Sequence, residues 1–145
     1  PTTFSADAEA RARIERIAMT AVMEAERAMG HQPRDDSALK CGYDITSRPP
    51  ARSDALPDDR LIEVKGRAKG ATTITLTKNE IIAALNKPTQ FWLAIVLVGE
   101  NDEAEGPYYL QGPVTQAPDW AEVSKNLELE ELLRRSSIAG RPNHE

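Results

Sequence analysis

The chain has 145 residues, with 18 basic and 23 acidic side chains, a net charge of −5 and 40% apolar residues. This length predicts one domain, residues 1–145, that is large enough to bury a layered core. The single cysteine excludes a disulfide scaffold and a four-cysteine zinc site, and it indicates a reducing compartment. The longest apolar run, Phe91 to Val98, is too short to span a bilayer, so we expect a cytoplasmic protein with no membrane partner.

The acidic excess lies in the C-terminal part of the chain. Residues 1–99 carry 14 basic and 13 acidic side chains, whereas residues 100–145 carry 4 and 10. The segment Arg60 to Lys78 has five basic residues and one acidic residue. The overall charge therefore argues against a protein that coats nucleic acid. It does not exclude a polyanion at this segment, where we expect weak and salt-sensitive binding.

The first predicted element is a helix from Asp7 to Met29. Its apolar residues recur at steps of three and four, and Ser5 and Gly30 suit its two ends. The helix carries two glutamates, Glu15 and Glu26, that lie eleven positions apart. At roughly 100° per residue they share one edge of the helix within about 20°, so either of them can meet a sheet.

The remaining predicted elements alternate between strands and helices. A polar connector over 31–40 is followed by a strand over 42–47, an exposed loop over 48–59 and two strands over 60–67 and 72–76. A second helix begins at the capping box Thr77-Lys78-Asn79-Glu80 and stops before Pro88. A buried strand over 91–98, an edge strand over 108–110 and a closing helix over 118–135 complete the order. This order predicts an α/β fold with a mixed sheet flanked by helices.

Three charged residues stand on predicted strands that are otherwise apolar. Asp44 lies in the strand over 42–47, and Glu63 and Lys65 share one face of the next strand. A buried carboxylate without a partner is costly. Two carboxylates from neighbouring strands are ligands that Mg²⁺ accepts, and a lysine beside them can orient water or stabilise charge at phosphorus. The alternative is that Glu63 and Lys65 form a structural ion pair or an exposed face.

Four phrases occur in one order along the chain. They are Gly42-Tyr43-Asp44-Ile45, Leu61-Ile62-Glu63-Val64-Lys65-Gly66-Arg67, Thr77-x-Asn79-Glu80 and the strand from Trp92 to Val98. Together they resemble the NO VEIN C-terminal type of domain, a PD-(D/E)XK nuclease-like family. The most similar variant is found at the C-terminal end of bacterial Swi/Snf-type DNA helicases. The resemblance covers roughly Ile14 to Leu133.

The resemblance implies an αβββαβ core, followed here by a C-terminal helix, that hydrolyses phosphodiesters with a divalent metal. By position, Asp44 and Glu63 would be catalytic metal ligands for Mg²⁺ or Mn²⁺. The Val64 carbonyl would be a further ligand, and Lys65 would position the attacking water. The helical glutamate of the family is expected to be Glu15, with Glu26 as the alternative.

Four residues near these motifs are candidates for nucleic-acid contact: Arg67, Lys69, Lys78 and Asn79. The alternative for Arg67 and Lys69 is that they are ordinary solvated loop charges, and the capping box explains Glu80 without catalysis.

Two functions stay open. One is a DNA nuclease that is fused to, or recruited by, a helicase ATPase domain, in cis or in trans. The other is a non-cleaving module of this fold that docks DNA or protein for the helicase. The sequence also leaves open DNA or RNA as the nucleic acid, and a monomer or a homodimer.

Overall fold

The computed structural model describes residues 2–119 and 121–138, with side chains from residue 6 onward. Its elements are α1 (Thr2–Ala28), β1 (Gln32–Asp35), a 3-10 helix (Ser37–Leu39), β2 (Ile45–Arg48), β3 (Arg60–Ala68), β4 (Thr73–Thr77), α2 (Lys78–Asn86), β5 (Phe91–Val98), β6 (Ala104–Leu110), β7 (Ser124–Glu128), α3 (Leu129–Arg135) and β8 (Ser137–Ile138). No helix within these ranges is long and apolar enough to cross a membrane.

Six strands form one mixed sheet in the order β1-β2-β3-β5-β6-β8. β1, β2 and β3 are an antiparallel meander, and β3 runs parallel to β5. β6 is antiparallel to both of its neighbours, β5 and β8. The predicted α/β class, with a mixed sheet and a C-terminal helix, is confirmed, and β3 lies at the centre of an αβββαβ arrangement.

The meander does not consist of the three strands that the sequence predicts. The connector over 31–40 contains β1, which pairs with β2 although most of its residues are exposed and polar. The predicted third strand, β4, is not in the main sheet, because it pairs with β7 in a separate two-stranded sheet. Pairing between distant segments decides both placements, and local periodicity carries no signal for it.

The predicted closing helix over 118–135 is wrong in its first part. Residues 124–128 form β7, and the helix α3 begins at Leu129. Residue 120 lies outside the described residues. Leu127 packs from a strand while Leu129 and Leu132 pack from a helix, all against the same core cluster. The leucines that predict a single helix therefore belong to two elements, β7 and α3.

The predicted edge strand over 108–110 is longer than expected and is not at the edge. β6 begins at Ala104, and β8 pairs with its outer side. Pro107 cannot donate to a ladder, and it falls at the break in register between β5 and β6. The break accommodates the proline within the sheet.

Both faces of the sheet are covered. On one face α1 contributes Ala18 and Val22 to a buried cluster with Ile62. On the other face β4, α2, β7 and α3 pack around Leu93 and Ile95. Residues that alternate along β3 therefore face α1 and α2 in turn.

Gly66 on β3 permits the close approach of α1. A Cβ atom at this position would lie 2.8 Å from Ala18 Cβ and 3.0 Å from the Ile14 carbonyl oxygen. A larger residue would push the helix away from the sheet. The glycine after Glu63-Val64-Lys65 thus has a packing role.

Glu26 on α1 is fully buried in a cluster of matched partners. Arg60 donates to Oε1 at 2.9 Å and to Oε2 at 3.1 Å, the Tyr109 hydroxyl donates to Oε2 at 2.7 Å, and His31 Nδ1 lies 2.8 Å from Oε1. The Arg60 guanidinium also stacks 4.5 Å from the Trp92 ring centre. Burial alone would raise the pKa of Glu26, but Arg60, with His31 and Tyr109, lowers it. The cluster ties α1 to β3 and β6.

Replacing Arg60 with Met is expected to lower the free energy of unfolding at neutral pH by about 3–5 kcal/mol, because it leaves a buried carboxylate without its charged partner. Since folding lowers the pKa of Glu26 below its ordinary 4.5, the ionised form adds stability above that pH. This stability is lost as the pH falls through the folded-state pKa. The effect of Arg60→Met should therefore shrink in acid, as measured by urea denaturation.

The matched control is Arg48→Met. Arg48 is 70% exposed and lies 3.7 Å from Asp59, so its removal should change stability by less than about 1 kcal/mol. An Arg60→Met effect of equal size at neutral and acid pH would contradict the assigned charge pairing.

Candidate functional site

A pocket of about 650 Å³ lies where β2 leaves β3. The strand pairing ends at Ile45 and Ile62, and the Asp44 amide then donates to the Ile62 carbonyl at 2.8 Å. β3 continues to Ala68 alongside β5. The edge of β3 that β2 has left therefore faces the pocket. Its charged lining residues are Glu15, Arg16, Asp35, Asp44, Glu63, Lys65, Arg67 and Glu80.

Asp44 continues the ladder with its side chain. Its Oδ2 accepts the Val64 amide proton at 2.9 Å, beyond the last backbone pair of β2 and β3. This bond fixes the Asp44 carboxyl against the strand that carries Glu63. Burial raises the pKa of Asp44, although the hydrogen bonds from Val64 and Glu63 act in the opposite direction.

Glu63 is a buried acid that holds its proton. Only 5% of the residue is exposed. Burial and the neighbouring Asp44 charge raise the pKa of Glu63 to about 10, although Lys65 lowers it. At neutral pH we therefore expect Glu63 to keep its proton beside Asp44, as crowding of two carboxyl groups favours.

Lys65 lies between two carboxyl groups. Its Nζ is 3.3 Å from Glu63 Oε2 and 2.9 Å from Glu80 Oε1. Glu80 also completes the predicted capping box, because Thr77 and Glu80 exchange hydrogen bonds at the start of α2. Burial would raise the pKa of Glu80, but the Lys65 charge and the Thr77 amide lower it. Lys65 thus contacts Glu63 in the pocket, as the alternative predicted, but while Glu63 keeps its proton the charged partner of Lys65 is Glu80.

The structure separates the two glutamates of α1. Glu15 is exposed and lines the pocket, whereas Glu26 lies in the cluster with Arg60. Of the two, the structure therefore places Glu15 and not Glu26 at the pocket, and the catalytic role of Glu15 stays a prediction. The two residues share an angular edge of the helix, but eleven residues correspond to about 16 Å along its axis.

The two basic candidates after the motif lie in different places. Arg67 lines the pocket, and its Nη1 donates to the Gly66 carbonyl at 2.8 Å. Lys69 lies 3.9 Å from Glu103 and 3.6 Å from Glu105, and it lines a second pocket of about 290 Å³. The contact of either residue with nucleic acid stays a prediction.

Asn79 and Lys78 begin α2 and do not line the main pocket. The Asn79 side chain donates to the Lys40 carbonyl at 3.2 Å, and the Lys78 amide donates to the Val123 carbonyl at 2.9 Å. Their proposed contact with nucleic acid also stays a prediction. Arg16, which the sequence analysis missed, lines the pocket from α1. Its position beside Glu15 is the signal that could have identified it.

Three groups could hold a divalent cation: the carboxyl groups of Asp44 and Glu63, and the Val64 carbonyl. The Val64 amide points toward Asp44, and a strand residue directs its amide and carbonyl to the same side. Within 2–119 and 121–138 no group of three His, Cys, Asp or Glu residues is arranged to hold a metal ion. An ion at this place would rely on two carboxyl groups, one carbonyl and water, a donor set that suits Mg²⁺.

A family model described as protein NO VEIN, C-terminal, matches residues 14–110, about two thirds of the chain. The chain belongs to the NO VEIN C-terminal family. The match runs from α1 to the end of β6 and includes Asp44, Glu63 and Lys65. It ends before Leu133, which the resemblance was expected to reach, so β7, α3 and β8 lie beyond it. No curated protein and no solved structure matches this NO VEIN C-terminal domain.

Replacing Glu63 with Gln is expected to stabilise the domain, and more so as the pH rises. From about pH 4.5 upward the unfolded chain releases the Glu63 proton, whereas the folded chain keeps it until about pH 10. Glu63 therefore lowers the free energy of unfolding with increasing pH, by at most about 3 kcal/mol at neutrality. Gln has no proton to release and can donate a hydrogen bond to Asp44.

Urea denaturation at several pH values between 5 and 8, with a chelator present, measures this difference. An effect of Glu63→Gln that is independent of pH would contradict the buried protonated acid. Glu130→Gln, at an exposed position in the first turn of α3, is the control and should change stability by less than about 0.5 kcal/mol.

Proposed function

We propose that this domain is a metal-dependent nuclease that hydrolyses phosphodiester bonds in DNA. The observation that carries the proposal is the adjacent pair of acids, half-buried Asp44 and buried Glu63, with Lys65 beside them at the free edge of β3. An acid such as Glu63, whose pKa is strongly raised by burial and a neighbouring charge and which lines a cleft, is typical of functional sites. Membership of the NO VEIN C-terminal family supports the proposal through the nuclease-like character of the domains that this sequence resembles.

The donor set at this edge fits Mg²⁺ or Mn²⁺. Asp44 and Glu63 would hold the ion together with the Val64 carbonyl, and Glu63 would release its proton on binding, since a carboxyl group must be deprotonated to coordinate a metal. When bound, such an ion supplies charge that polarises the scissile phosphate and lowers the pKa of a water. The chain itself therefore positions two acids whose mutual repulsion a cation would relieve.

The other pocket residues have distinct roles in this mechanism. Lys65 presents its ammonium group to the attacking water and to the charge that develops at phosphorus. Glu15 faces the same space from α1 and would orient further water. Arg16 and Arg67 line the pocket and would contact the phosphates that flank the scissile bond.

We also propose that a helicase ATPase, in cis or in trans, delivers the DNA. The net charge of −5 gives the domain little long-range attraction for a polyanion. Arg16, Lys65 and Arg67 line the pocket together with five acidic residues, so they would contact phosphates only at short range. Local contact with phosphates would therefore follow delivery, with strong dependence on salt.

The alternative is a non-cleaving module of the same fold that docks DNA or protein. One observation favours it: Lys65 is already paired with Glu63 and Glu80, as in a structural ion-pair network. Such a network can stabilise a sheet edge without any reaction. A cleavage assay separates this function from the first.

The experiment incubates supercoiled plasmid, single-stranded DNA and single-stranded RNA with the domain in Mg²⁺ or Mn²⁺. The wild type is expected to cleave DNA, and Asp44→Asn, Glu63→Gln and Lys65→Met should each lose activity by about 100-fold or more, because each removes a group from the reacting centre. Mg²⁺ or Mn²⁺ should also raise the melting temperature of the wild type but not of Asp44→Asn.

Glu130→Gln is the control and should cleave like the wild type, because its side chain is exposed on α3 outside the pocket. A wild-type domain that neither cleaves nor gains melting temperature with either metal would overturn the nuclease. If that domain binds DNA without cleaving it, the docking module is the function.

A further inference from the structure

The first turn of α2 contacts β3 and the segment that leads into β2. Glu80 Oε1 lies 2.9 Å from Lys65 Nζ on β3. Asn79 Nδ2 donates to the Lys40 carbonyl at 3.2 Å, in the turn that leads into β2. The backbone there is so close that a Cβ atom at Gly42 would lie 2.8 Å from the Asn79 carbonyl oxygen. The first turn of α2 therefore packs directly against the segments that carry the site.

The capping box does not require the contact with Lys65. The box is complete when Thr77 Oγ1 accepts the Glu80 amide proton at 3.2 Å and Glu80 Oε1 accepts the Thr77 amide proton at 3.0 Å. A glutamate in a capping box can do this while its carboxylate faces water. Here the Glu80 side chain is 15% exposed, and the oxygen that accepts the Thr77 amide also meets Lys65.

The capped start of α2 gives the ammonium group of Lys65 a partner, Glu80, whose position is fixed. A lysine has a flexible four-carbon stem and a compact charge, so a single ion pair defines its position poorly. Lys65 Nζ has two partners, Glu80 Oε1 at 2.9 Å and Glu63 Oε2 at 3.3 Å. Glu63 is needed for the cation in the proposed reaction, whereas the hydrogen bond to Thr77 anchors Glu80.

We propose that Glu80 is the positioning residue for Lys65 in the nuclease reaction, a role that rests on the function proposed above. Glu80 holds the ammonium group at the pocket while Glu63 serves the metal. It does so through Lys65 and does not touch the reacting atoms. The phrase Thr77-x-Asn79-Glu80 then has one purpose: Thr77 fixes the helix end, Asn79 holds the turn before β2, and Glu80 holds the lysine.

Glu80→Gln separates this role from helix capping. Glutamine serves in a capping box as glutamate does, so the helix end is kept, whereas the charge that holds Lys65 is removed. We expect kcat for DNA cleavage to fall roughly 10- to 100-fold, with KM changed by less than about twofold. Glu80→Asp keeps the charge at a shorter reach and should recover part of the loss. Circular dichroism and melting temperature verify that both variants fold.

A second measurement does not depend on cleavage. The ammonium protons of Lys65 should give a resolved ¹H–¹⁵N signal in the wild type, because two carboxyl groups shield them from exchange with solvent. Lys65→Met assigns this signal by its absence. The signal should disappear in Glu80→Gln and persist in Glu130→Gln, which removes the same charge from an exposed first turn of α3.

The outcomes distinguish this proposal from the one on which it rests. An active wild type together with an unchanged kcat in Glu80→Gln, or an unchanged Lys65 signal in that variant, overturns the role of Glu80 and leaves the nuclease in place. A wild type without cleavage overturns the nuclease, and with it the catalytic role of Glu80. A fall in kcat with loss of the signal in Glu80→Gln, and of neither in Glu130→Gln, supports both.

Discussion

The hydrogen bond from the Val64 amide to Asp44 Oδ2 ties together the two strands on which the site is built. The backbone pairing of β2 and β3 ends at Ile62, two residues before Val64, so the Val64 amide needs another acceptor. A carboxylate supplies it, and this requirement places an acid directly beside Glu63. The same divergence directs the Val64 carbonyl toward the pocket. The crowding of Asp44 and Glu63 follows from this bond, and the Asp44 charge adds to burial in raising the pKa of Glu63.

Two polar clusters of the domain shift the pKa of a buried acid in opposite directions. Around Glu26 the donors match the acceptors, and the pKa of the acid is lowered. Around Glu63 three carboxyl groups share one lysine, and the pKa is raised. The first arrangement stabilises the contact of α1 with the sheet, whereas the second lowers stability. A protein keeps a mismatch of that kind where a ligand can complete it.

Sequence reasoning succeeds here where local pattern determines structure, and it fails where distant pairing does. α1, β3, β5 and the capping box follow from periodicity and from Thr77-x-x-Glu80, and the shared face of Glu63 and Lys65 follows from strand alternation. β1 was missed because its residues are polar and exposed, and β4 was placed in the wrong sheet because its partner is β7. Glu26 is an alternative to Glu15 in the sequence because the two share an angular position on α1, which does not report their distance along the helix axis. The sequence does not predict the contact of Glu80 with Lys65, because the capping box is a sufficient reason for a glutamate at this position.

The two-stranded sheet of β4 and β7 connects the C-terminal segment to the pocket. Thr77 ends β4 opposite Ser124 and also caps α2, so the register of this sheet fixes the helix end from which Glu80 reaches Lys65. Ile74 and Leu76 on β4 are fully buried in the cluster that includes Leu129 and Leu132 of α3. The family match over residues 14–110 therefore ends before two residues, Leu129 and Leu132, that complete this core cluster. The segment after residue 110 supports β4 and the start of α2. Substitutions in this segment can therefore alter the pocket although none of its side chains lines it.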